Sequence, residues 1–137
     1  MITQKYEFNI EQNKKRVWES ITDLKLINSY LKSNYKNTKI IGIPIKGNPL
    51  KLDINGNHNY NILILDKIFE TEFSVRINKV SDNSDIDIKL QDDSIILQVY
   101  INDNGIDLTT ISVHIESKEK NDLLNHIENY LSEIKKA

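Results

Sequence analysis

Three histidines, His58, His114 and His126, are the side chains in this 137-residue chain best suited to binding a metal or transferring protons. None of them has the His-x-x-x-His or His–Glu spacing that places two ligands on one helix face. Cysteine, the other common zinc ligand, is absent. Because a zinc site needs three or four convergent ligands, the sequence predicts no metal site and no cofactor.

Other patterns that resemble catalytic or binding motifs have plainer explanations. Glu70 and Glu72 share a face of the predicted strand. Acid–base catalysis would require burial to raise the pKa of one of them, and we expect both side chains to lie at a solvated strand edge instead. Asn102–Gly105 resembles a calcium loop, yet Tyr100 stands where the first acidic ligand belongs. With four glycines and no phosphate-binding motif, we predict no catalytic residues and favour a non-enzymatic function.

Trp18 is the only tryptophan, and it has two interpretations. Core packing between the first helix and the sheet is the plainer one. The alternative places the indole in the wall of a ligand cavity. The remaining aromatic side chains are not interleaved with Lys or Arg at strand spacing, so stacking of single-stranded nucleic acid on the sheet is not expected.

Length and composition narrow the class of protein further. The chain fits one domain covering residues 1–137, and its net charge of −2 gives no overall attraction to nucleic acid. It has neither a membrane-length apolar run nor an N-terminal signal pattern, so we expect a cytoplasmic protein without stable membrane insertion. The 23 Ile, 17 Asn and 16 Lys against two Arg suggest an AT-rich, bacterial source.

The near-neutral net charge hides two oppositely charged parts. Residues 1–47 carry nine basic and four acidic groups, a net +5, while residues 50–107 carry five basic and eleven acidic groups, a net −6. The acidic part includes a run of aspartates at Asp82, Asp85, Asp87, Asp92 and Asp93. Solvated turns and an outward strand face are the simple interpretation. A docking patch for a protein partner is the alternative.

The N-terminal third predicts a strand followed by two short helices. Lys5–Ile10 alternates polar and apolar residues with the period of a half-buried strand. From Gln12 the spacing becomes helical, and Asn13 is a suitable N-cap. The Thr22-Asp23 corner offers a second cap, so residues 13–32 should form two helices, the second with an apolar side at Leu24, Ile27, Tyr30 and Leu31.

The middle of the chain predicts an antiparallel meander, since short alternating segments recur every 8–12 residues. They are Ile41–Ile45, Leu50–Ile54, residues 60–68, Phe73–Ile77, Ile86–Leu90, Ile95–Ile101 and Ile111–Ile115. Asn55-Gly56 and Asp103–Gly105 mark turns between them. After Glu116 the helical period returns, and one long amphipathic helix carries the stripe Leu123, Ile127, Tyr130, Leu131 and Ile134.

This order of elements, an α+β arrangement of a curved antiparallel sheet of about 6–8 strands around a long C-terminal helix, resembles the helix-grip fold of the START-like (SRPBCC) superfamily. The segment Arg16–Asp23 (RVWESITD) looks like the superfamily's helix–corner–helix motif. That motif is especially common in the branch of the activator of the 90-kDa heat-shock chaperone ATPase. The DLTTI segment Asp107–Ile111 after Asn104-Gly105 is similar to a late strand of that branch.

The resemblance implies that a hydrophobic small molecule or lipid binds between the sheet and the C-terminal helix. Face parity alone selects the candidate wall residues Trp18, Phe73, Val75, Leu97, Val99, Ile127 and Tyr130. The alternatives are a chaperone-activator-like module that binds a protein partner, and, ranked last, an enzyme like the superfamily's polyketide cyclases. A cavity of several hundred cubic ångströms would favour ligand binding, and a collapsed core would favour the interaction module.

Overall fold

A computed structural model describes residues 2–54, 57–79, 94–118 and 123–136 of the chain. Their order is strand, two helices, meander and long helix, which confirms the predicted α+β architecture. The elements are β1 (Ile2–Ile10), α1 (Lys14–Thr22), α2 (Leu24–Asn34), β2 (Thr38–Ile41), β3 (Pro49–Ile54), β4 (Asn57–Ile68), β5 (Glu72–Lys79), β6 (Ile95–Asp103), β7 (Thr109–Ser117) and α3 (Leu123–Lys136).

The seven described strands form one antiparallel sheet in the order β1-β7-β6-β5-β4-β3-β2. Strands β2 to β7 lie beside their neighbours in sequence, as in a meander, and β1 returns to pair with β7. The register shifts once between β3 and β4 and once between β4 and β5, and such bulges bend a strand locally. All three described helices lack the combination of length and apolar character that a membrane crossing needs.

The break between α1 and α2 occurs at the predicted corner. Asn13 caps α1, since its side-chain oxygen accepts a bond of 2.9 Å from the backbone N–H of Arg16. Asp23 ends α1 and also caps α2, where its carboxylate accepts a 2.9 Å bond from the N–H of Lys25. Each cap satisfies a backbone donor that the helix itself cannot pair.

The predicted turn at Asp103–Gly105 connects β6 with β7. Gly105 has φ of 132°, a conformation that L side chains rarely adopt. The backbone N–H of Gly105 donates to the carboxylate of Asp103 over 3.1 Å. The Asn55-Gly56 turn, the Ile86–Leu90 strand and the aspartate run from Asp82 to Asp93 lie outside the described residues.

The strand predicted over Ile41–Ile45 is wrong beyond Ile41, where β2 ends. Gly42 has φ of 134°, and the Leu50 side chain lies 2.7 Å from where a Cβ of Gly42 would be. Pro44 then removes a backbone donor. Ile43 and Ile45 are consequently 62% and 59% exposed. Their alternation therefore reflects the Ile-rich composition of the chain and not a buried strand face.

The inner face of the sheet, which α1, α2 and α3 cover, carries two clusters of buried apolar side chains. The larger one, called here the α1 core, consists of Ile10, Val17, Trp18, Ile21, Val99, Ile101, Ile111, Val113, Ile115 and Leu131. The smaller one joins β3, β4 and β5 through Leu50, Ile62, Ile64 and Val75. Phe73 and Leu97 pack against both clusters, so these two residues mark the boundary between the two halves of the inner face.

Candidate functional site

A cavity of about 620 Å³ lies between the inner face of the sheet and the two helices α2 and α3. We call it the central cavity. Its helix wall is formed by Ile21 and Thr22 at the end of α1, by Leu24, Ile27, Tyr30 and Leu31 of α2 and by Leu123, His126, Ile127, Tyr130 and Leu131 of α3. Its sheet wall includes Ile40, Leu50, Leu52, Ile54, Tyr60, Ile62, Phe73, Val75, Ile77, Ile95, Leu97, Val99, Ile111 and Val113.

Strand pairing explains why the sheet wall is apolar. Phe73 lies opposite Val99, and Val75 lies opposite Leu97, so alternate residues of β5 and β6 meet on the inner face. Because successive side chains of a strand point to opposite faces, the polar residues between them, such as Gln98, face outward. The alternation that predicts the strands therefore also produces a continuous apolar wall.

Six of the seven candidate wall residues lie around the central cavity: Phe73, Val75, Leu97, Val99, Ile127 and Tyr130. The seventh, Trp18, does not line it. Trp18 is 6% exposed within the α1 core and makes edge contacts with the rings of Phe69 at 6.1 Å and Phe73 at 6.4 Å. The structure thus places the indole in the core, behind the wall residue Phe73.

Helix α2 supplies wall residues that face parity in the strands does not identify. Its apolar stripe was predicted from sequence, but the part of the cavity wall that it forms was not. None of the eleven residues of α2 is fully buried, although four of them line the cavity. A bidentate pairing holds the helix against β2: the Asn28 side chain donates to the carbonyl of Ile40 over 2.9 Å and accepts from its N–H over 2.7 Å.

Tyr130 connects the helix wall to α1. Its hydroxyl donates to the backbone carbonyl of Ser20, and its ring packs edge-on against Tyr30 with centroids 4.9 Å apart. Burial raises the pKa of the Tyr130 phenol, and the nearby Asp23 carboxylate raises it further. The hydroxyl therefore stays protonated and works as a donor to the backbone.

Tyr35 and His126 form a polar pair at the wall of the cavity. Tyr35 caps the C-terminus of α2, and His126 lies near the start of α3. The Tyr35 hydroxyl and His126 Nδ1 are 2.7 Å apart, and both residues line the cavity. Sequence analysis missed this pair because 91 residues separate its members, and no local spacing signals it.

The other two histidines lie elsewhere. His114 is on the outward face of β7, where its ring packs 5.2 Å from that of Tyr100. His58 lies in β4 opposite Asp53 of β3. Among residues 2–54, 57–79, 94–118 and 123–136, no group of three His, Asp or Glu side chains is arranged to hold a metal ion.

A depression of about 680 Å³ on the outside of the molecule lies between the start of α1 and the β6–β7 turn. Its lining mixes cations and anions, including Lys14, Lys15, Glu70 and Asp103, and Ile106 beside them is 96% exposed. Charges of both signs on an open surface define no ligand class, so the central cavity is the candidate site.

No protein-family model matches the chain, and no curated protein matches it either. Solved structures do. CalU16 from Micromonospora echinospora has a TM-score of 0.68 at 12% identity, covering 96% of this chain and 74% of that one. An HSP90 activator from Plasmodium falciparum has a TM-score of 0.66 at 8% identity, covering 97% and 89%.

The Aha1 dimer from Colwellia psychrerythraea also matches, with a TM-score of 0.66 at 12% identity over 98% of this chain and 94% of that one. These structures have the helix-grip fold of the START-like superfamily. The resemblance found in the sequence is therefore confirmed for the fold of this chain.

Proposed function

We propose that the protein, as a single START-like domain over residues 1–137, holds a hydrophobic small molecule or lipid in the central cavity without changing it chemically. The observation that carries this proposal is the cavity of about 620 Å³ in the place of a collapsed core. Ligand sites typically have volumes of this order.

The chemistry of the walls supports an apolar ligand. Most of the side chains that line the cavity are aliphatic or aromatic, including the predicted wall residues Val75, Leu97 and Ile127. Burying each ligand methylene against them would contribute about 0.8 kcal/mol. The absence of full burial along α2 supports the same conclusion, because its apolar side chains Leu24, Ile27 and Leu31 border the cavity and are only partly covered by protein atoms.

Two measurements test the proposal together. Native mass spectrometry of protein purified from cells should reveal a bound small molecule. Titration with fatty acids and isoprenoids should change the fluorescence of Trp18, the only tryptophan, because its ring contacts the wall residue Phe73. A protein without a co-purifying species and without a saturable response would contradict the proposal.

A pair of neighbouring substitutions makes the test specific to the cavity. Leu97→Phe adds volume inside the cavity, whereas Ile96→Phe adds it on the opposite face of β6, where Ile96 lies opposite Arg76 and Glu116. We expect Leu97→Phe to weaken ligand binding at least about tenfold and Ile96→Phe to leave it unchanged. Equal effects of the two variants would place the ligand elsewhere.

A protein-interaction function is the second candidate, and the comparisons favour it specifically. Two structures with this fold are described as an HSP90 activator and as the Aha1 dimer. The basic N-terminal and acidic middle parts of the chain offer charge complementarity to a protein partner. In this function the cavity would be empty, and affinity would depend on surface charge.

Stimulation of the ATPase activity of the 90-kDa heat-shock chaperone tests this second candidate. The triple variant Asp82→Asn, Asp85→Asn and Asp87→Asn should lose binding to the chaperone, and binding by the unmodified chain should weaken with added salt. A control variant neutralises three other acidic residues of the same part, Asp53, Asp66 and Asp107. Salt-insensitive behaviour without any partner would rule the candidate out.

A further inference from the structure

The hydrogen-bonding groups of the central cavity are not equivalent. The hydroxyl of Tyr130 donates to the carbonyl of Ser20, and the hydroxyl of Thr22 donates to the carbonyl of Trp18 over 2.7 Å. Both groups therefore use their protons within the protein. The Tyr35–His126 pair differs, because its two members bond to each other across α2 and α3 and both line the cavity.

The Tyr35 hydroxyl also has a side-chain hydrogen bond with Tyr30. Its bonds to His126 and Tyr30 together still leave the phenol one donor or acceptor position in either protonation pattern of His126. If Nδ1 of His126 carries no proton, the Tyr35 hydroxyl donates to it, and the phenol oxygen keeps a lone pair that can accept a hydrogen bond from a ligand. If Nδ1 carries a proton, the imidazole donates to the phenol oxygen, and the Tyr35 O–H is free to donate to a ligand. A ligand hydroxyl fits both cases, since it is both donor and acceptor.

Charge narrows the choice of head group further. None of the described side chains that line the cavity belongs to Asp, Glu, Lys or Arg. A carboxylate would fit only the pattern in which Tyr35 donates, and an ammonium would fit only the pattern in which it accepts. The Tyr35–His126 bond is exposed, so an ion would lose only part of its hydration there, but no Asp, Glu, Lys or Arg side chain of the cavity lining would supply an opposite charge to offset that loss.

We propose, on the basis of the ligand-binding function above, that the ligand is an apolar molecule with one hydroxyl group and that Tyr35, paired with His126, recognises this group. The apolar part fills the space between α2, α3 and the sheet. The hydroxyl group lies at the Tyr35–His126 pair, where the C-terminal end of α2 meets the beginning of α3. Tyr35 is thus the residue that determines head-group specificity.

A series of ligands with the same ten-carbon chain tests this inference by calorimetry at neutral pH: 1-decanol, decanoate, decylammonium and decane. We expect 1-decanol to bind at least about tenfold more tightly than either ion. Tyr35→Phe, which keeps the ring and removes the hydroxyl, should weaken 1-decanol binding about five- to tenfold, the range of one lost hydrogen bond. Decane should bind the variant and the unmodified chain equally.

Tyr100→Phe is the matched control, because Tyr100 lies outside the cavity, on the outward face of β6 against the ring of His114. It should change 1-decanol binding by less than about twofold. Tighter binding of decanoate, or no effect of Tyr35→Phe, would overturn the inference while leaving the ligand-binding function intact. Failure of all four compounds, decane included, to bind the unmodified chain would overturn the ligand-binding function itself.

Discussion

The α1 core and the central cavity lie side by side on the same sheet, yet helices cover them in different ways. Five of the nine residues of α1 are buried, and Val17 is 0% exposed. None of the eleven residues of α2 is buried. Helix α1 is therefore held by interlocking side chains, whereas α2 is held at the sheet edge through Asn28 and Ile40. The comparison teaches that an apolar helix stripe can form the wall of a cavity as readily as it can fill a core.

Truncation of a large side chain should separate the two regions most clearly. Trp18→Ala removes a ring that is 6% exposed in the α1 core, and we expect a loss of about 3–5 kcal/mol in the free energy of unfolding. Ile27→Ala, in the cavity wall, should cost less than about 1.5 kcal/mol, because fewer protein atoms surround that side chain. Urea denaturation measures both, and equal losses would mean that the cavity is in fact filled by protein.

Added side-chain volume should also destabilise the α1 core more than the cavity wall. Ile115 is 0% exposed in the α1 core, so Ile115→Phe should destabilise the fold by about 1–3 kcal/mol through overpacking. Leu97→Phe, which extends into the cavity, should change the free energy of unfolding by less than about 1 kcal/mol. Thermal unfolding followed by circular dichroism checks the pair. A larger loss for Leu97→Phe would contradict the assignment of free space beside β6.

The attachment of α2 can be tested without touching the cavity wall. Asn28→Ala removes two hydrogen bonds to Ile40 and should lower the free energy of unfolding by about 1–2 kcal/mol. Asn34→Ala is the control, because the bond of Asn34 to the carbonyl of Tyr30 is exposed, and its effect should stay within about 0.5 kcal/mol. Hydrogen exchange should show faster opening of α2 in the Asn28 variant alone. Unchanged exchange would mean that other contacts hold α2.

The smallest effect concerns Tyr130, at the junction of the two regions. Burial raises the pKa of its phenol above the unfolded-state value of 10.0. Below pH 10 the phenol keeps its proton in both the folded and the unfolded state, so its full contribution to the free energy of unfolding is present. Above it the unfolded state loses the proton first, so stability falls as the pH rises.

Tyr130→Phe should cost about 1 kcal/mol at neutral pH through the lost bond to Ser20. This difference between the unmodified chain and the variant should shrink between about pH 9 and about pH 11. Urea denaturation at several pH values measures the difference directly. A difference that stays constant across that range would show that the hydroxyl is solvated in the folded state.

The sequence predicted the order of elements well because each depends on local periodicity and capping. Asn13 and Asp23 mark the helix boundaries through bonds to residues two or three positions away, and such signals survive without tertiary information. The extension of β2 past Ile41 failed because alternating isoleucines in an Ile-rich chain imitate a strand. Gly42 and Pro44 were the local signals against it.

The cavity wall was predictable on the strand side and along α3, where the helical stripe includes Ile127 and Tyr130, but not along α2. Alternation in β5 and β6 identified Phe73, Val75, Leu97 and Val99 as one face, and strand pairing brings them together. The pairing of Tyr35 with His126 depends on how α2 and α3 are positioned, and no local pattern encodes it. The sequence left Trp18 with two interpretations because a large aromatic side chain suits a core and a cavity wall equally well, and the structure places it in the α1 core.

Methyl nuclear magnetic resonance with 1-decanol tests the central claim most directly, since isoleucines lie in both regions. Ile27 and Ile127 line the cavity, and Ile10, Ile101 and Ile115 belong to the α1 core without lining it. The account predicts saturable shifts of the Ile27 and Ile127 methyl signals while the three core signals stay in place. Absence of shifts at Ile27 and Ile127, or equal shifts in both sets, would contradict it.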